Sequence, residues 1–233
     1  MAEIQRIYLA IFMVFLASAT AGAQGLPTAE ELFAAHTKRL GFEHALASYG
    51  TIEAHAHVTV GDREYDTEVK ASVSPAGFGG AEFTIIRGGM PTLYSDKDGA
   101  LTRTTQGSVP EALPESMRAF IHGHQFHLRV LFPALTFASV SGPVSEAIFA
   151  NAPVYKVAGK TRQGDDLAYY FDATSTVMLG FQLIITEETG PRPMDFIPGG
   201  WSTKGGETLF WRLEIADKGD LYIYEYNKIL LLP

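Results

Sequence analysis

The chain has 233 residues, 46% of them hydrophobic and 19% charged, which supports a sizeable core and excludes a disordered tail. Lys and Arg number 18 against 26 Asp and Glu, a formal charge of -8 that repels phosphate backbones, so no nucleic-acid partner is expected. The absence of cysteine removes disulfides, thiolate metal sites and cysteine nucleophiles together.

The opening stretch MAEIQRIYLAIFMVFLASATAGAQG places Arg6 before an apolar run from Ile7 to Ala17, followed by the small residues Ala21-Gly22-Ala23. This reads as a secretory signal peptide over residues 1–23, because about 11 apolar residues fall short of the ~20 that span a bilayer. A single domain over residues 24–233 is expected to follow. Thr28-Ala29-Glu30-Glu31 is a capping-box pattern, so a helix should start there. Leu32, Phe33, His36 and Leu40 continue it at helical spacing, and after an interruption at Gly41 the pattern runs through Ala45, Leu46 and Tyr49 to Gly50.

From Thr51 the period becomes two, with Ile52, Ala54, Ala56, Val58 and Val60 on one face and Glu53, His55, His57 and Thr59 on the wet face. Gly61-Asp62 turns the chain into a second strand, where Glu64, Asp66 and Glu68 alternate with Tyr65, Thr67 and Val69. Phe83 and Ile85 mark a third strand and Leu93 a fourth; Asp98-Gly99 marks a turn and Leu101 to Thr104 a fifth strand.

After Pro110 to Pro114, a second helical segment runs from Glu115 to Phe132. Met117, Phe120, Ile121, His124, Leu128 and Leu131 form one stripe, and Phe126 and Val130 lie opposite, so the second half is apolar on both sides. Gly123 favours a kink or break. Alternation returns over Val154 to Ala158, Leu167 to Phe171, Leu179 to Ile185, Leu209 to Ile215 and Leu221 to Tyr226, with a long loop over Gly190 to Gly206. Around ten strands and two helical segments indicate an α+β fold: one curved antiparallel sheet with helices covering its concave side.

No local catalytic motif holds. Gly159-Lys160-Thr161 lacks the upstream glycine of a phosphate loop, and Asp96-Lys97-Asp98-Gly99 lacks the terminal glutamate of a calcium loop. His55 and His57 on one strand, with His122, His124 and His127 on the second helical segment, raise the question of a metal site. On a regular helix His122 and His124 point about 200° apart, so solvated or lid-edge histidines are the expectation, and no metal or cofactor is assigned. Glu64, Asp66 and Glu68 read as a solvated face, and Tyr222, Tyr224 and Tyr226 line one side of the last strand.

Three segments carry a family resemblance: LPTAEELFAAHTKRLGFEHAL at residues 26–46, NAPVYKV at 151–157 and LAYYFD at 167–172. In order along the chain they resemble the opening helix and the strand-turn-strand of the bacterial lipoprotein-sorting superfamily, the LolA/LolB-like fold, among its exported members. Where relatives often continue with Thr-Gly-Leu and then Arg after the Phe-Asp, this chain has Thr174-Ser175-Thr176-Val177-Met178. The resemblance implies an incomplete β-barrel closed by helices over an apolar cavity that shelters acyl chains, and a periplasmic location; it carries over no cargo-recognition residue. The expected function is non-catalytic carriage of a lipid or acyl chain, with envelope lipoproteins or membrane components as candidate partners. Its expected wall is Phe83, Ile85, Phe171, Phe181, Leu183, Trp211 and Leu213 from strands and Phe120, Phe126, Leu128 and Leu131 from the lid. The alternatives are an envelope interaction protein without ligand and a histidine-based metal-dependent hydrolase.

Overall fold

A computed structural model describes residues 25–44, 49–74, 77–97, 99–162, 164–187 and 190–233. The expected signal peptide, Ala45, Leu46 and Asp98 lie outside these residues. The capping box forms as its residues require: Thr28 Oγ1 accepts from the Glu31 N–H at 3.2 Å, and Glu31 Oε2 accepts from the Thr28 N–H at 2.8 Å. Helix α1 (Ala29–Arg39) follows and ends at Leu40. The expected interruption falls at Gly41, which has φ +83 and where a Cβ would sit 2.1 Å from the Gly206 carbonyl oxygen; the expected continuation through Ala45 and Leu46 lies outside the described residues.

Strands β1 (Thr51–Val60), β2 (Arg63–Ser74), β3 (Gly77–Arg87), β4 (Met90–Lys97), β5 (Ala100–Thr105) and β6 (Glu111–Ala112) form a meander. A second set follows the helical segment: β7 (Phe137–Val140), β8 (Ser145–Phe149), β9 (Ala152–Thr161), β10 (Asp166–Asp172), β11 (Met178–Glu187) and β12 (Gly190–Gly199). A small hairpin, β13 (Ser202–Lys204) with β14 (Glu207–Leu209), leads to β15 (Arg212–Asp217) and β16 (Asp220–Leu232). The meanders join where β1 pairs with β16, giving the order β6-β5-β4-β3-β2-β1-β16-β15-β12-β11-β10-β9-β7, with β8 also on β9. The two ends do not pair, so this fourteen-stranded sheet is a curved, incomplete barrel.

Gly190 to Gly206 is not one long loop, because β12 occupies its first half. Pro191 and Pro193 are two apart and present the same strand edge; residues 190–194 pair only with β11, and Pro198 lies where only β15 is paired. Missing amides are tolerated on a one-sided ladder. β1 alternates as its sequence requires, with Ile52, Ala54, Ala56, Val58 and Val60 buried on the concave face. Leu32 and Phe33 of α1 pack there with Ala56, Val58, Phe171 and Phe181.

Candidate functional site

The second helical segment is broken into short pieces laid over the concave face: a 3₁₀ turn (Glu115–Met117), α2 (Arg118–Gly123), α3 (Phe126–Leu131) and α4 (Pro133–Thr136). The break falls at His124-Gln125, directly after Gly123. All six residues of α3 are buried, as a helix apolar on both sides demands. A helix this short leaves its last carbonyls without helical partners, and side chains from elsewhere supply them. Tyr169 Oη donates to Arg129 O at 2.9 Å, His36 Nε2 donates to Val130 O at 2.8 Å, and Thr37 Oγ1 donates to Leu131 O at 3.4 Å. His36 Nδ1 accepts from the Met178 N–H at 3.1 Å, which fixes a neutral imidazole bridging α1, α3 and β11. Burial pushes the His36 pKa down to about 4.

The lid histidines are separated by their partners. His122 Nε2 meets Asp96 Oδ2 at 2.7 Å, and His127 Nε2 donates to Phe210 O at 3.3 Å. His124 stacks on Phe83 with ring centroids 3.6 Å apart. His122 and His127 are buried and not solvated, and burial pushes the His127 pKa down to about 3. Among the described residues no three His, Asp or Glu side chains converge as a metal site. His55 and His57 lie on the convex face, where the register brings them to the acidic trio: His55 faces Glu68 at 3.4 Å, and His57 faces Asp66 at 2.9 Å and Glu64 at 3.5 Å.

Two spaces adjoin these strands, one under the lid and one at the strand ends. Beneath the lid is a void of about 10 Å³ lined by Ile52, Ala54, Val69, Ala71, His124 to Leu128 and Tyr226. It has room for one water at most. At the far end of the same strands, Val60, Arg63, Glu64, Tyr65, Arg87 and Tyr222 line an open cleft of about 320 Å³, with the Arg87 guanidinium 5.1 Å from the Tyr65 ring centre. Val60 and Ala54 are six residues apart on β1, about 20 Å along the strand. The three tyrosines of β16 mark the route: Tyr222 in the cleft, Tyr226 at the void and Tyr224 buried between them. Tyr224 packs edge-on against Phe126 at 5.5 Å, so side chains separate the two spaces.

Of the expected wall residues, Phe126 and Leu128 line the void. Phe83, Phe171, Phe181, Leu183, Leu131 and Leu213 are buried in the packed interior, Ile85 and Trp211 are half-buried, and Phe120 is 37% exposed. Sequence reasoning missed Phe210, which is fully buried and stacks on His127 at 4.0 Å. It also missed the small-residue floor of Ala54 and Ala71, and the buried Gln125 and Arg129 of the lid.

No family model matches the chain, and no curated protein sequence does. Solved structures do match. A LolA superfamily protein from Nitrosomonas europaea superposes with a TM-score of 0.57 at 13% identity, over 89% of this chain and 95% of that one. The chain has a LolA-like fold. A DUF1329 family protein from Desulfovibrio piger matches with a TM-score of 0.56 at 8% identity, over 88% of this chain and 94% of that one. A domain from Vibrio parahaemolyticus, described as an outer membrane lipoprotein-sorting protein, matches at 0.52 and 9% identity, over 78% and 85%. The LolA-like architecture thus accounts for both meanders and the lid between them.

Proposed function

We propose that the protein is an exported, periplasmic, non-catalytic carrier of a lipid or acyl chain, held between the β1–β3 floor and the lid. The observation that carries this reading is the apolar floor beneath the lid, where Phe126 and Leu128 lie over Ile52, Ala54, Val69 and Ala71 and Phe126 packs against Tyr224. Ala54 and Ala71 on the floor meet Phe126 and Leu128 of the lid, so a lid that swung away would uncover a shallow apolar trough. The lid is itself three short helices anchored mainly through side chains. The LolA superfamily and lipoprotein-sorting descriptions of the structural neighbours agree with such a role, and Arg6 with Ile7 to Ala17 agrees with export.

The filled interior favours a second reading, an envelope interaction protein that never holds a ligand. One experiment separates the two. The protein is purified from the cell envelope without detergent, extracted with organic solvent and analysed by mass spectrometry, in parallel with titration of the delipidated protein with dodecanol. A carrier releases lipid in near-stoichiometric amount or takes up dodecanol. Failure of both leaves the interaction protein.

A further inference from the structure

Among the described residues three buried side-chain atoms lack a hydrogen-bond partner, and all lie on the lid: Gln125 Nε2, Arg129 Nε and Arg129 Nη1. Most buried polar groups in folded proteins are partnered, so three orphans on one short segment call for a physical cause. Gln125 and Arg129 are four residues apart, and the Arg129 N–H donates to Gln125 O at 3.1 Å, so both side chains leave the same face of the segment. Arg129 is only 2% exposed, and the remaining terminal nitrogen of its guanidinium donates to His122 O at 3.3 Å.

A buried guanidinium ordinarily keeps a carboxylate beside it. Among the described residues Arg129 has no ion pair. The buried carboxylate of Asp96 is held by Arg118 and His122, and Asp165, whose negative charge acts on Arg129 from beyond ion-pair distance, is bonded to Thr161. The sign of the missing group follows from the atoms: all three orphans are N–H donors, so what they lack is an acceptor, and around a guanidinium the acceptor that also balances charge is an oxoanion. Gln125 lines the void beneath the lid, so its unpartnered amide nitrogen adjoins the apolar space, and Arg129 follows one helical turn along the same segment.

We propose that Gln125 and Arg129 form an anion-binding site for the head of an amphiphile, a carboxylate or phosphate ester, whose apolar tail lies against Ile52, Ala54, Val69 and Ala71. This assignment rests on the carrier reading and narrows its cargo to anionic amphiphiles. The planar guanidinium grips two oxygens in parallel, and the amide of Gln125 supplies a further donor. A neutral alcohol leaves the guanidinium without its counter-ion.

The test titrates the delipidated full mature chain with dodecanoate, dodecyl phosphate, dodecanol, acetate and inorganic phosphate, followed by calorimetry. Dodecanoate or dodecyl phosphate is expected to bind at least tenfold more tightly than dodecanol, and the better of the two identifies the head. Acetate and inorganic phosphate are expected to bind at least a hundredfold more weakly. Arg129→Met and, separately, Gln125→Leu are expected to reduce the ratio of dodecanoate to dodecanol affinity at least fivefold, and Arg129→Lys is expected to retain part of that ratio. Thermal melts establish that each variant is folded, and Gln125→Leu serves where Arg129→Met does not fold. Equal binding of dodecanoate and dodecanol overturns the anion site while the carrier reading stands. Absence of binding by every dodecyl probe overturns both. Free anions matching dodecanoate also overturn the assignment, since no tail would then be read.

Discussion

Lowering the pH from 7.5 to 5 tests the two histidines that fasten the interior. His36 and His127 are buried and neutral, with pKa values pushed by burial down to about 4 and about 3, against about 6.5 in an unfolded chain. Depressed histidine values mean that the unfolded state binds protons first. Their contribution to stability is therefore complete above pH 6.5 and is lost as pH falls toward the folded values. At pH 5, about 1.5 units below the unfolded value, each costs about 2 kcal/mol at 1.36 kcal/mol per unit, or about 4 kcal/mol together. That is a large part of an ordinary domain's stability of about 5–15 kcal/mol. Burial pushes His124 down to about 4 as well, and His57 acts oppositely, since its hydrogen bond to Asp66 raises its pKa and adds stability as pH falls, so the measurement belongs in a His57→Gln, His124→Gln background. The urea midpoint is expected to fall by more than about 1 M between the two pH values. A midpoint that stays put refutes the reasoning, as does a His36→Gln, His127→Gln double variant that keeps the full pH dependence.

Two substitutions test the backbone and the route to the void. Gly41→Ala combines φ +83 with a Cβ 2.1 Å from a backbone oxygen, so a loss of more than about 3 kcal/mol is expected, read as a fall in melting temperature of at least about 6 °C; a shift below about 2 °C contradicts the tight approach. Tyr224→Ala joins cleft to void at a stability cost of about 3–5 kcal/mol and is expected to raise binding of the apolar dye N-phenyl-1-naphthylamine several-fold at pH 7.5; unchanged binding in folded protein shows that Tyr224 does not separate the two spaces.

What the sequence made legible was local. The capping box, the alternation of β1 and the weakness near Gly123 are each decided by residues within a few positions of one another, and each appears as expected. The misses arise where distant chain decides. β12 is a strand despite its prolines because β11 and β15 each leave one of its edges free where a proline sits, a fact of register and not of composition. Phe210 replaces Trp211 as the fully buried ring because the residues between β14 and β15 leave the alternation: the Trp211 N–H donates to Gly199 O and its carbonyl accepts from Tyr226. His36 and Arg129 did carry a signal, since each stands among apolar residues on its helix, but their partners come from α3, β11 and α2, which no local pattern names.

The closed form also bears on how a ligand would enter. Opening the lid exposes Phe126, Leu128, Val130 and Leu131, each fully buried, at about 1.5–3 kcal/mol apiece, or roughly 6–12 kcal/mol. A chain of twelve methylenes at ~0.8 kcal/mol each returns about 10 kcal/mol when it takes their place against the floor. On the proposed carrier reading, this near balance would let cargo exchange with the lid for the same apolar surface without unfolding the sheet. The polar contacts would then tip the exchange: the lid's carbonyl bonds to Tyr169, His36 and Thr37 hold the empty form shut, and an anion that satisfied Gln125 and Arg129 would offset their loss by removing the cost of three bare donors.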